Sequence, residues 1–388
     1  MSVRKLILIL VILGLGYWVY DRYGYLIKSA QNFPKSTSVN VEPTTLSKAA
    51  TKDDTLSHLR IRDGYSISYF ARDVPGARSM ALGSGGVVYV GTRSQGVVYA
   101  IEDDNLDGIA DTRYVVASGL NNPNGVVYHD GVLYVAEINR IIKFKDIDKN
   151  FKAKPAYDVI YDKLPSDTHH GWRYMALGPD NKLYVGIGAP CNVCEVADPY
   201  GSIARLNLDG SGFEVIARGI RNTVGFDWNP EDESLWFTEN GRDQMGDDVP
   251  VDELNQLRTE GEHFGFPYCH AGDALDPKFG VGKNCMDYAT VSLPLSPHAA
   301  ALGMKFVDGQ IYIAEHGSWN REEPIGYRVM TVDMTNGIAS NYQVLVEGWL
   351  NEQGKASGRP VDIAVLKDSS ILVSDDFAGA IYKLVKNN

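Results

Sequence analysis

The stretch GIRNTVGFDWNPEDESLWFTENGRD, residues 219–243, contains two short apolar segments, Gly225–Trp228 and Ser234–Glu239, around an Asn-Pro-Glu-Asp turn. Short runs rich in aromatic residues and bounded by turn formers predict a β-hairpin. Polar residues crowd its open ends. Arg221 and Asn222 precede the first segment, and Glu239, Asn240, Gly241, Arg242 and Asp243 close the second.

The same pattern recurs along the chain. It is found in MALGSGGVVYVGT (80–92), GVVYHDGVLYVAE (125–137), MALGPDNKLYVGI (175–187), GMKFVDGQIYIAE (303–315) and DIAVLKDSSILVSD (362–375). Each turn carries Gly, Asp, Asn, Pro or Ser, as hairpins require. A third strand usually follows, as in GVVYAIE, RIIKFKD, SIARLNL, YRVMTVD and AIYKLVK. Equivalent large residues are Tyr89, Tyr134, Tyr184, Trp236, Tyr312 and Leu372. The first intervals are about 45–50 residues, the period of a β-propeller blade. The last two intervals are longer and imply insertions, one of which holds Cys269 and Cys285. Six repeats predict an all-β, six-bladed propeller over residues 59–388. GYSISYF (64–70) lies ahead of the first repeat and is expected to complete the last blade, which removes the open sheet edges.

In a propeller the innermost strand of each blade starts near one mouth of the central channel, and the hairpin returns the chain to that mouth. Residues before the first strand and after the second therefore share one funnel. Applied to every blade, the rule gathers Arg78, Asn121–Asn124, His169, His170, Arg173, Arg221, Asn222 and Arg359 from the first positions. From the second it gathers Thr92, Arg93, Glu137, residues 239–243, residues 315–321, Asp375 and Asp376. Pairing among these charges would hold blades together, but their recurrence at equivalent places argues for a site. A histidine supplies a base near neutral pH. Clustered arginines suit a ligand with several carboxylates or phosphates. The ENGRD turn offers carbonyl and carboxylate oxygens to a hard cation such as calcium.

The chain has 388 residues, 44% hydrophobic and 22% charged, with 39 Gly and 22 Tyr. Its formal net charge of −12 argues against a nucleic-acid partner, because an acidic surface repels phosphate backbones. Near the N-terminus, Arg4 and Lys5 precede the uncharged run LILILVILGLGYWVY (6–20). Its flanks fit a signal peptide or a signal anchor. Tyr17, Trp18 and Tyr20, which suit a membrane interface, favour an uncleaved anchor helix over residues 1–27. The basic end would lie inside, with the rest exported to the periplasm and held at the inner membrane. Residues 28–58, rich in Ser, Thr, Lys and Asn, read as a flexible tether.

Cys191, Cys194, Cys269 and Cys285 suggest two disulfides in an exported chain, and proximity favours 191–194 with 269–285. CNVC as a redox pair lacks the βα context such pairs use, and a zinc site lacks a second C-x-x-C. DDNLDGIAD (103–111) places Asp103, Asn105, Asp107 and Asp111 like the start of a structural calcium loop. The final Glu of such a loop is missing, so an acidic hairpin turn is the other reading.

From about residue 60 onward the chain resembles the pyrroloquinoline-quinone (PQQ)-dependent sugar dehydrogenases, including soluble glucose, aldose and L-sorbosone dehydrogenase types. The resemblance rests on HHGWRYMALGPDNKLYVGIGAPCNVC, GIRNTVGFDWNP, TENGRDQMGDDVPVDELN, FGFPYC, AEHGSWNR and GRPVDIAV, in this order. CNVC and HGSWNR are most similar to the sorbosone branch. The resemblance implies a six-bladed propeller with PQQ across the funnel and calcium bridging it to the protein. It implies His170 as general base and Arg221 beside the reacting quinone carbonyl. Asn222, Arg359, Arg321 or His316, and Trp319 would hold the cofactor or, for Trp319, shape the substrate entrance. The main-chain carbonyls of Gly241 and Arg242 would bind calcium. Where glucose enzymes carry a carboxylate that orients the base, this chain has Ala189, and only Arg359 stands where two arginines are expected near the last blade.

The leading expectation is an oxidoreductase acting on an aldose or related sugar aldehyde. With no heme motif, its electrons would pass to a separate cytochrome or membrane quinone. A propeller lactonase would need channel side chains around calcium and no anion clamp. A non-catalytic binding or assembly propeller is the third reading.

Overall fold

The computed structural model describes residues 39–49, 51 and 53–387. The run expected as an anchor, residues 1–27, lies outside the described residues. Among those described, no helix is long and apolar enough to cross a membrane.

The six repeats fold as six antiparallel blades, five of them four-stranded sheets and blade 5 a four-stranded blade extended to six strands. Blade 1 comprises Met80–Leu82, Val87–Val90, Val97–Glu102 and Thr112–Ser118. Blade 2 runs from Gly125–His129 to Asp158–Tyr161, and blade 3 from Met175–Leu177 to Glu214–Arg218. Blade 4 is Phe226–Trp228, Leu235–Glu239, Glu253–Leu257 and Leu293–Pro294. Blade 5 runs from Ala301–Val307 to Ile338–Glu347. Blade 6 takes Pro360–Val365, Ile371–Asp375 and Ala380–Lys386 from the C-terminus. Its outer strand is Tyr65–Ala71, with Ile67 opposite Leu384 and Ser68 opposite Lys383. The early strand thus closes the ring, as its sequence predicted.

Local chemistry explains the hairpins. In blades 2 and 5 the turns are Asp130-Gly131 and Asp308-Gly309, and both residues of each turn have positive φ. Such a turn matches the right-handed twist of its strands and requires the conformations that Asp tolerates and Gly adopts freely. The second strands are buried on both faces, since blades pack on either side. Val87, Val88, Tyr89 and Val90 are all buried. The apolar run therefore replaces the alternation seen when one face meets water.

The tether expectation needs correction for its described part. Leu46–Lys48 pairs antiparallel with Arg60–Arg62, which pairs with the outer strand of blade 5. Glu42 also bridges Gln343. Leu56 and Leu59 are buried in the cluster between blades 5 and 6. Ala49 is buried in the same cluster, Val39, Val41 and Leu46 pack against blade 5, and pairing to its free sheet edge orders this otherwise polar stretch.

Candidate active site

A cavity of about 540 Å³ opens at the mouth where the hairpin ends converge. Its wall includes His170, Arg221, Asn222, Gly241, His316, Trp319 and Arg359, seven of the residues predicted for the site. The funnel rule also brought Arg78, Arg93, Asn240 and Asp243 to it.

His170 stands before the first strand of blade 3, is 7% exposed, and has a left-handed backbone (φ 48°). Its Nδ1 lies 2.8 Å from the carbonyl oxygen of Ala189. A carbonyl only accepts, so Nδ1 carries the proton and Nε2 keeps its lone pair. The main chain at Ala189 thereby does the orienting that a carboxylate would do. Burial pushes the His170 pKa down to about 2, and the Arg221 charge adds to the effect. The ring is neutral at pH 7, the form a base requires.

Arg221 is 4% exposed and held on every side. Its Nε donates to the Asn192 carbonyl (2.8 Å), and Nη2 to Asn192 Oδ1 (2.9 Å) and Asp243 Oδ2 (2.8 Å). Nη1 reaches the Asn240 carbonyl at 3.3 Å. Asn222 Nδ2 donates to Asn240 Oδ1 (3.3 Å). The pair with Asp243 keeps this buried charge from being stranded.

A second group of cations lines the cavity from blades 1, 5 and 6. Asp376 accepts from Arg78 Nη1 (3.0 Å) and pairs with His316 Nε2 (2.8 Å). These charges hold its carboxyl well below the ordinary range despite burial. Arg359 donates to the carbonyls of His316 (2.9 Å) and Gly317 (2.6 Å). Arg93 stacks on Trp172, its guanidinium 4.0 Å from the ring centroid, and Trp172 meets His170 edge-on. Burial, with Arg78 nearby, lowers the Arg93 pKa to about 10. Three guanidinium groups around one carboxylate leave this wall positive.

The opposite wall offers oxygens. Gly241 N donates to Asp252 Oδ1 (2.9 Å), which fixes the turn where Gly241 lines the cavity. Asn320 donates to Asp243 Oδ1 (2.9 Å), and its own Oδ1 is buried without a hydrogen-bond partner among the described residues. An unpaired buried oxygen beside a carboxylate and a turn of carbonyls is a donor set that fits a hard cation. Among the described residues no three His, Cys, Asp or Glu side chains converge, so such an ion would depend on main-chain and amide oxygens. The volume and the positive wall fit a compact polycarboxylate of cofactor size.

Other predicted residues lie elsewhere. Arg321 does not line the cavity. Its guanidinium bonds the main chain at Asp247 and Glu323 and pairs with Asp248, while Arg78 and Arg93 present theirs to the cavity. The Arg242 side chain is buried against Asp276 at 2.6 Å, which leaves only its main chain near the turn. His316 lines the cavity with its ring committed to Asp376. Trp319 is 71% exposed at the mouth, an entrance position rather than a packed one. Arg173 and Glu137 staple loops, through Ile138 and Pro165 carbonyls and through Arg140 respectively.

In the 103–111 turn, Asp103 accepts from the amides of Asp107 and Gly108, Asn105 from Asp107, and Asp111 from Asp104. These hydrogen bonds from main-chain amides order the turn. Both disulfides form as proximity suggested, Cys191–Cys194 and Cys269–Cys285.

Asn192, Trp172, His298 and Asp252 escaped the sequence reading. Asn192 and Trp172 sit inside the quoted motifs CNVC and HHGWR, where cysteine and histidine drew the attention. Asp252 opens a third strand of blade 4 too polar to read as one.

Residues 59–387 match the model of a family described as TrAA12-like. A Borreliella burgdorferi protein, named only as uncharacterized, is 31% identical over 356 residues, covering 86% of this chain and 92% of its own. A protein of Hypocrea jecorina named pyrroloquinoline quinone-dependent sugar dehydrogenase is 23% identical over 291 residues, 66% of this chain and 68% of its own. A calcium structure of the Trichoderma reesei family AA12 enzyme superposes with a TM-score of 0.77 at 19% identity, covering 91% of this chain and 100% of the other. The PQQ-bound aldose sugar dehydrogenase of Streptomyces coelicolor gives 0.61 at 18% identity, with 84% and 99% covered. These two structures share the fold. With the family match spanning the whole propeller, the chain belongs to the TrAA12-like family.

Proposed function

We propose that this protein is a PQQ- and calcium-dependent oxidoreductase that oxidises an aldose or related sugar aldehyde. One observation carries the reading: a neutral, oriented His170 and a buried Arg221 face the same cavity as a net-positive wall of Arg78, Arg93 and Arg359. Named relatives acting on sugars with PQQ support it. When bound, PQQ supplies the hydride acceptor and calcium the Lewis acid that polarises it.

This chain's own residues do the rest. His170 Nε2 takes the hydroxyl proton of the sugar as the C–H bond of the same carbon gives up its hydride. Arg221, already desolvated and fixed, offers positive charge to the negative charge that develops, without reorganisation. Arg78, Arg93 and Arg359 would clamp acidic groups of the cofactor, and Asn222 would support its ring. The Gly241 and Arg242 carbonyls, with Asn320 Oδ1 and Asp243, would hold the cation. Trp319 shapes the entrance. The lactonase alternative is less well served, since it needs several acidic side chains converging in the channel.

Two disulfides suit an oxidising compartment. They support export, with the 6–20 run as a membrane anchor and a separate cytochrome or membrane quinone as acceptor; fractionation of cells would test this placement.

Reconstitution tests the function. Purified protein loaded with PQQ and calcium should reduce an electron-accepting dye with at least one member of an aldose panel, and His170→Ala should abolish that turnover while the protein stays folded. A loaded protein inert to every sugar, or an active His170→Ala variant, would end the assignment.

A further inference from the structure

The loop 189–194 follows the second strand of blade 3 and touches both residues assigned to the chemistry. The Ala189 carbonyl receives His170 Nδ1 at 2.8 Å, and the Ala189 amide donates to the Arg221 carbonyl at 2.8 Å. Three residues on, Asn192 accepts two of the guanidinium's hydrogen bonds, one on its main-chain oxygen (2.8 Å) and one on Oδ1 (2.9 Å). The same Oδ1 accepts from the Asp243 amide (2.9 Å), and Nδ2 donates to the Asp243 carbonyl (3.1 Å). Asn192 thereby ties Arg221 to its counter-ion from a third loop. It lies between Cys191 and Cys194, in a small ring closed by their disulfide. A carbonyl inside so short a ring has little freedom to rotate away from its donor.

We propose that Asn192 is a positioning residue for Arg221, and that the Cys191–Cys194 bond serves to hold Asn192 in place rather than to exchange electrons. The inference rests on the proposed role of Arg221. It assigns CNVC a purpose that neither a redox pair nor a general staple covers. The loop touches both His170 and Arg221, and its covalent ring holds the Arg221 contacts at Asn192.

The test uses the full chain loaded with PQQ and calcium. Asn192→Ala, Asn192→Asp and Cys191→Ser/Cys194→Ser are each made alone and with Arg221→Lys, and Asn192→Ala is also combined with Cys191→Ser/Cys194→Ser. Losing hydrogen bonds to a charged group should lower kcat about 10- to 100-fold in Asn192→Ala, with KM within about threefold of wild type. PQQ affinity, read by absorbance titration independently of turnover, should weaken about 10-fold or less. Asn192→Asp keeps the acceptor and should recover part of kcat; it also serves if Asn192→Ala fails to fold. The double Ser variant should fall in the same direction, with Asn192→Ala adding little to it. In the Arg221→Lys background the Asn192→Ala effect should shrink to about threefold or less, because the donor geometry it serves is gone. Full kcat in folded Asn192→Ala beside an impaired Arg221→Lys would overturn the positioning role alone, as would multiplicative effects in the double variant. Wild-type turnover in Arg221→Lys would instead remove the role of Arg221 in the proposed function.

Discussion

Gly188→Ala is a sharp test of the site because it adds one methyl group and no charge. Gly188 does not need a positive φ, so alanine suits its backbone. A Cβ there would lie 2.5 Å from His170 Cβ, 2.9 Å from the His170 carbonyl and 3.0 Å from Asn222 Oδ1. Carbon atoms rest about 3.5–4.0 Å apart, so the histidine must retreat by about 1 Å. It has little room to do so, since its left-handed backbone and its bond to Ala189 fix the ring. Overpacking of this kind costs about 1–3 kcal/mol of stability. The kinetic effect should be larger, because a misplacement of about 1 Å from reacting geometry costs about 100-fold in rate. Thermal melting should show a folded protein with a modestly lower midpoint. Dye reduction by the PQQ- and calcium-loaded enzyme should show kcat down about 100-fold. A folded variant with kcat within threefold of wild type would refute the claim that His170 works from this position.

Further predictions concern pH and stability. Burial and Arg221 lower the His170 pKa, so the base stays unprotonated well below pH 6.5. The acid limb of kcat/KM should therefore fall far below the ordinary histidine range, and a limb centred near pH 6.5 that depends on His170 would contradict this. Burial raises Asp252 to about 7, so the folded state keeps a proton that the unfolded chain loses near pH 4. Its contribution to stability is full below about pH 4 and declines as pH rises toward 7. The melting temperature of Asp252→Asn relative to wild type, both in chelator, should thus climb across that window and level off above it; a flat or falling difference would count against the assignment. Cys269→Ser/Cys285→Ser opens a loop across a sequence separation of 16. Denaturant unfolding should register a loss of about 3 kcal/mol, and no measurable loss would show that the insertion is held without it.

The ring of blades is legible in residue order alone. Hairpin turns such as Asp130-Gly131 act locally, and doubly buried strands such as Val87–Val90 need apolar side chains throughout, so both leave marks in the chain order. Repetition of those marks set the blade number, and blade geometry then placed His170, Arg221 and Arg359 at one mouth. Which charges face the cavity depends on packing between blades and not on residue order. Arg321 and Arg93 looked alike as arginines after second strands, yet one is spent on the 247–248 loop and the other stacks on Trp172 above the site. Nor did a sequence pattern point to the carbonyls of Ala189 and Asn192, which hold the His170 ring and the Arg221 guanidinium with oxygens every residue carries. Hydrogen bonds of that kind depend on where a loop is led by its neighbours, and neighbours distant in sequence become visible only once the ring has closed.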